Sequence, residues 1–187
     1  MKTTFSPLLF LIAKVLFLTN IFDSNAETIQ KVKVTNIDIV NCGEIENSPS
    51  IAFQEEKETI HGHLFVMDSL ETPSFKPGCP KIVAKIGTQF GIQVQVNGSP
   101  DSAIANLRTR VTHPLMRNPK TEEEGTQDEW DSPMNIGYAR YAGWQFEEDW
   151  ELLPGAWKIE ILHKDKVLAS QEFTVEIAAE DLNSEAD

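Results

Sequence analysis

The chain has 187 residues, of which 24% are charged, with 29 acidic against 16 basic side chains and a formal net charge of −13. That length holds one domain beside a targeting segment. A field of that sign repels phosphate backbones and anionic lipid surfaces, so nucleic acid is not an expected partner; cations, basic proteins and plain solubility fit it.

Residues 1–26 read as a cleavable secretory leader. Lys2 gives a basic start, Leu8 to Ala13 and Val15 to Leu18 form an apolar run interrupted by Lys14, and Ser24 and Ala26 place small residues before a cut at Glu27. A spanning helix needs about 20 apolar residues without a central charge. This stretch falls short, so no stable membrane insertion is expected after cleavage, and the expected location is periplasmic or secreted. A single domain is expected over 27–177, followed by an acidic, disordered tail over 178–187.

Period-two alternation, the mark of a strand with one buried face, runs through that domain. Val32 and Val34 lie in one phase and Ile37 and Ile39 in the other, which predicts a bulge near Thr35-Asn36. Weaker strands are expected at 60–67, 81–86 and 143–146. Phe90, Ile92, Val94 and Val96 alternate with polar residues, and Asn97-Gly98 reads as the turn that ends the run. Leu107, Thr109 and Val111 form the next inward row, with Pro114 expected to stop it. Residues 118–134 are polar and acidic, with Glu122, Glu123, Glu124, Asp128, Glu129 and Asp131, and are expected to form a long loop. Trp157, Ile159 and Ile161 form an inward row, His163 to Lys166 a polar turn, and Phe173, Val175 and Ile177 the returning strand. No long segment has helical periodicity. Short strands separated by turn residues predict an all-β fold, an immunoglobulin-like antiparallel β-sandwich of about seven strands.

Cys42 and Cys79 are the only cysteines. In an oxidising compartment an even, widely spaced pair reads as a disulfide rather than as a metal site. Closing that loop stabilises a fold by about 3–4 kcal/mol in the chain-entropy model.

The residues that could carry chemistry are few. His61 and His63 stand two apart, so on a strand they point the same way, and Met67 lies on the same face. Imidazoles with a thioether suit copper or zinc, but two histidines leave the site short of ligands. The run from Glu122 to Asp131 lacks the ligand spacing and central glycine of a calcium loop. No Gly-x-Ser-x-Gly turn, His-Glu-x-x-His pair or phosphate-binding glycine loop is present, which leaves an envelope hydrolase built on a carboxylate pair as a remote alternative. No cofactor is expected. Trp157 is in phase with the core, whereas Trp130, Trp144 and Trp150 stand in or near acidic stretches. With Glu122, Glu123 and Glu124 they are the candidates for contact with a protein or glycan partner. Asn97-Gly98-Ser99 matches a glycosylation acceptor, a pattern common by chance.

Several ordered blocks carry a resemblance: Lys85-Ile86-Gly87-Thr88-Gln89-Phe90-Gly91-Ile92, then Arg110 to Met116, then Gly143 to Gly155 with Trp157, then Gln171 to Val175. The most specific is Trp150-Glu151-Leu152-Leu153-Pro154-Gly155-Ala156-Trp157. Over roughly residues 29–177 the chain resembles the bacterial domain-of-unknown-function family 3859. The resemblance implies a bacterial, often exported β-sandwich and supplies no activity or catalytic residue. The resulting expectation is a non-enzymatic periplasmic binding or accessory module, with a metal-binding protein centred on His61 and His63 as the alternative.

Overall fold

The computed structural model describes residues 31–47, 56–58, 63–65 and 73–177. The expected leader, the acidic tail, His61 and Met67 lie outside the described residues, and of His63 only the backbone is described. In chain order the strands are β1 (Lys33–Asn47), β2 (Glu56–Glu58), β3 (His63–Phe65), β4 (Ser74–Phe75), β5 (Lys81–Ala84), β6 (Gln89–Ser99) and β7 (Ile104–Ala105). They continue with β8 (Arg108–Arg117), β9 (Glu124–Asp131), β10 (Met134–Asn135), β11 (Ala139–Gln145), β12 (Gly155–His163) and β13 (Lys166–Ile177). A single 3₁₀ turn, Asp149–Glu151, precedes β12.

Two sheets face each other. One is four-stranded in the order β11-β6-β1-β4, the other five-stranded in the order β5-β13-β12-β8-β9, and β10-β7 and β2-β3 make two small ribbons. All pairings are antiparallel except β13 with β5. Between the sheets lie the alternating rows read from the sequence: Phe90, Ile92, Val94 and Val96 from β6, Val111 from β8, Trp157, Ile159 and Ile161 from β12, Phe173 and Val175 from β13. Each large side chain so buried contributes about 1.5–3 kcal/mol. Phe90 is the hub, stacked on Phe146 with centroids 5.4 Å apart and edge-on to Trp157 and Phe173 at 5.7 and 5.3 Å.

The bulge expected near Thr35-Asn36 is present, because the pairing of β1 with β6 shifts between Val34 and Asn36. It lets Val34, Ile37 and Ile39 all pack toward the core. Cys42 and Cys79 are bridged, with Cα atoms 5.9 Å apart. The bridge ties β1 in one sheet to the segment that leads into β5 in the other.

Three local expectations are corrected. Asn97-Gly98 is not a turn. β6 continues to Ser99, and Gly98 pairs with Val34 so closely that a Cβ there would collide with the carbonyl oxygen of Lys33. The glycine is required by a close backbone approach. Pro114 does not end its strand either; it sits in a gap in the pairing of β8 with β9, between Thr112 and Met116, where a missing N–H costs no ladder bond. The acidic stretch read as a loop forms β9 over Glu124–Asp131, an edge strand, and only Asn118 to Glu123 turn. Its charges suit an edge that must not pair with other chains. They also find partners inward: Glu129 accepts from Arg108 and from Arg110 Nε at 2.8 Å, and Arg110 lies 3.7 Å from Glu160.

Candidate functional site

Three connections meet at one end of the sandwich. The β5–β6 turn joins the start of the β11–β12 connection, where Gly87 N donates to Phe146 O at 2.7 Å and Phe146 N to Thr88 O at 3.1 Å. The β8–β9 turn joins it through Lys120 Nζ, which donates to Glu148 Oε1 at 2.6 Å. Gly155 completes the junction: its φ is +136°, and a Cβ there would lie 3.2 Å from the Pro114 ring. The end therefore displays Glu122, Glu123, Glu124 and Asp149, all exposed, beside the exposed apolar side chains of Ile86 and Leu115.

Beneath this surface the core turns polar. His113 and Asp128, 3% and 4% exposed, face each other from β8 and β9 with Nε2 3.1 Å from Oδ2. His113 Nδ1 donates to Pro114 O at 2.8 Å. The imidazole packs against Trp157 at 5.3 Å and Trp144 at 6.0 Å between centroids. Trp157 Nε1 donates to Leu153 O at 3.0 Å. This buried pair locks β8 to β9 and offers no open face to a substrate.

Glu151 is buried at 0% exposure. Its Oε2 accepts from the Glu147 N–H at 2.8 Å, whereas Oε1 has no hydrogen-bond partner among the described residues. Burial pushes the carboxyl up to about 7, the charges of Glu147 and Glu148 add to the rise, and the backbone N–H groups of Glu147 and Glu148 oppose it. The indole N–H groups of Trp144 and Trp150 are likewise buried without a partner among the described residues. Elsewhere, burial raises the Tyr141 phenol, whose hydroxyl donates to Phe90 O at 2.7 Å.

Of the residues singled out in the sequence, Trp150, Glu122, Glu123 and Glu124 do meet at this end. Trp150 is half-buried and packed on the core. Trp144 is corrected: at 1% exposure it is a core residue and presents no contact surface. Its alternation with Ala142 and Phe146, both buried, carried that signal. Trp130 is half-buried but pairs with Thr109, six residues along β9 from Glu124 and so about 20 Å from this end at 3.3 Å per residue. Glu151 gives no sign of its burial in the sequence, because a lone acid in an acidic stretch reads as solvated.

Among the described residues, concavities also lie elsewhere. One of about 600 Å³ runs beside the disulfide, between Val40, Phe75, Lys76 and Gln171. Another, of about 390 Å³, lies at the opposite end against Lys31, Lys33, His163 and Lys164. Among the described residues no cluster of three histidine, cysteine or acidic side chains could hold a metal ion. No helix among them is long and apolar enough to cross a membrane.

Two facing sheets, antiparallel but for the β13–β5 pair, with their connections gathered at the ends define an immunoglobulin-like sandwich. The fold is similar to that of an immunoglobulin-like protein from Pseudomonas aeruginosa, with a TM-score of 0.54 and 18% identity over 79% of this chain and 98% of that one. No curated protein matches the chain. The model of the domain of unknown function DUF3859 matches residues 52–175, and the chain belongs to that family. The match leaves β1 and Cys42 outside it.

Proposed function

We propose that this is a non-enzymatic binding or accessory module of the bacterial cell envelope, which engages a protein partner through the end formed by the β5–β6 turn, the β8–β9 turn and the Glu147–Pro154 connection. The observation that carries this reading is the Lys120–Glu148 contact, which draws two acidic connections onto one surface beside exposed Ile86 and Leu115. Acidic groups around apolar ones suit a partner with basic and apolar side chains. The leader-like residues 1–26 support the compartment. The polar core supports binding over catalysis, since its His113–Asp128 pair is closed to solvent.

The test is mild crosslinking and capture from envelope extract with residues 27–187 as bait. One reproducible protein partner is expected, lost on Trp150→Ala or on Gln replacement of Glu122, Glu123 and Glu124. A partner retained by both variants overturns the assignment to this end, and recovery of a glycan alone overturns a protein as the ligand.

A further inference from the structure

We infer that Glu151 is a pH-responsive latch: its neutral carboxyl seats residues 147–153 on the acidic end of the sandwich, and its ionisation releases them. The biological meaning rests on the proposed contact surface, while the latch itself is a property of the chain alone.

The segment is built to move as a unit. Its backbone bonds are internal, from Glu151 N to Glu148 O at 3.0 Å, Leu152 N to Asp149 O at 3.2 Å and Leu153 N to Glu151 O at 2.7 Å. It is not part of either sheet. Side-chain contacts tie it to the rest of the fold, among them the Trp157–Leu153, Lys120–Glu148 and Gln145–Glu147 bonds and the packing of Trp150, Leu152 and Leu153. Releasing it breaks no sheet ladder, which places it among the regions that open at low cost.

Glu151 sits at its centre. A carboxylate there would have only the backbone N–H groups of Glu147 and Glu148 to face it, with Oε1 making no hydrogen bond among the described residues, in a site closed to water. It would also face two like charges from its own segment, Glu147 and Glu148. The other ionisable groups at this end have partners of their own. Lys120 of the β8–β9 turn holds Glu148, Arg117 of β8 lies 3.8 Å from Glu122, and His113 of β8 holds Asp128 of β9. Asp149 is exposed, as is Lys85 in the β5–β6 turn. The buried N–H groups of Trp144 and Trp150 also lack partners among the described residues, so the seated arrangement leaves three polar atoms unsatisfied there among those residues. The raised carboxyl, at about 7 instead of 4.5, agrees with this geometry. The sign follows: opening is rarest when the carboxyl is neutral in both states, grows as pH rises from 4.5 toward 7, and levels off above that.

Amide hydrogen exchange of the full chain from about pH 4 to about pH 8, corrected for the intrinsic rate, reads the latch directly. Protection of residues 147–153 is expected to fall by about a hundredfold across that range and then level, while β12 stays constant. Glu151→Gln is expected to abolish the fall. Glu147→Gln, which leaves the latch in place, is expected to make it smaller. A flat wild-type profile, or a Glu151→Gln profile that keeps the fall, overturns the inference. Should Glu151→Gln fail to fold, the carboxyl carbon shift of Glu151 in the wild-type chain decides, and a midpoint below about pH 5 overturns it. No partner enters these measurements, so their failure and that of the capture experiment are separate results.

Discussion

Two carboxyls are buried at the same end of this sandwich, and they are treated differently. Asp128 lies on a strand opposite Val111, and its carboxyl reaches the imidazole of His113 two residues further along β8. Glu151 lies in a one-turn connection, accepts from its own backbone and keeps one oxygen without a partner. Equal burial therefore gives one group that fixes structure and one whose charge state the structure resists. The difference comes from the element: a neighbouring strand brings a partner side chain beside Asp128, whereas the turn offers Glu151 its own backbone N–H groups.

The largest expected effect breaks the satisfied pair. Asp128→Ala leaves the buried His113 Nε2 unpaired and a cavity beside it, and should lower stability by about 4 kcal/mol in urea unfolding. If the loss is below about 1 kcal/mol, the pair does not hold β8 to β9. Replacing Cys42 and Cys79 together by Ser should cost about 3–4 kcal/mol, nearly the same at every pH because no titrating group is involved. That constancy makes it the control for the next variant. Glu151→Gln should match the wild type near pH 4 and be more stable by about 3 kcal/mol near pH 8, since a carboxyl raised in the folded state loses its contribution as pH rises through that value. A constant difference across pH would make Glu151 equivalent to any buried polar side chain. The smallest effect belongs to the clamp on the surface. Lys120→Met should cost less than about 1 kcal/mol, because Lys120 is exposed and Glu148 half-exposed, and should be visible mainly as faster exchange in residues 147–153.

The sequence made much of the frame legible. β6, β12 and β13 follow their period-two rows, the phase change between Val34 and Ile37 located a bulge, and the cysteine pair is bridged. What escaped reading shares a physical reason. An edge strand such as β9 is polar on nearly every residue and has no period to detect. Asn97-Gly98 carries a turn signal, although the glycine is needed for a close approach between strands. Asp128 reads as a loop residue because its partner, His113, is remote in sequence and gives no local sign of it. The candidate surface was half visible: its acids and Trp150 were found, but the carboxyl beneath them was not. Burial of a lone acid is decided by tertiary packing alone.

The pairing of β13 with β5 carries a consequence for how the molecule is made. Residues 81–84 bond to 174–177, and the latter strand also zips along β12. A chain emerging from a ribosome or an export channel with its N-terminus first leaves β5 without its partner until nearly the last described residue is out. Closure of the five-stranded sheet is therefore late, and contacts of such long sequence separation are slow to form. A polypeptide that completes this sheet only with β13, its last described strand, holds β5 open to other partners until that strand is made.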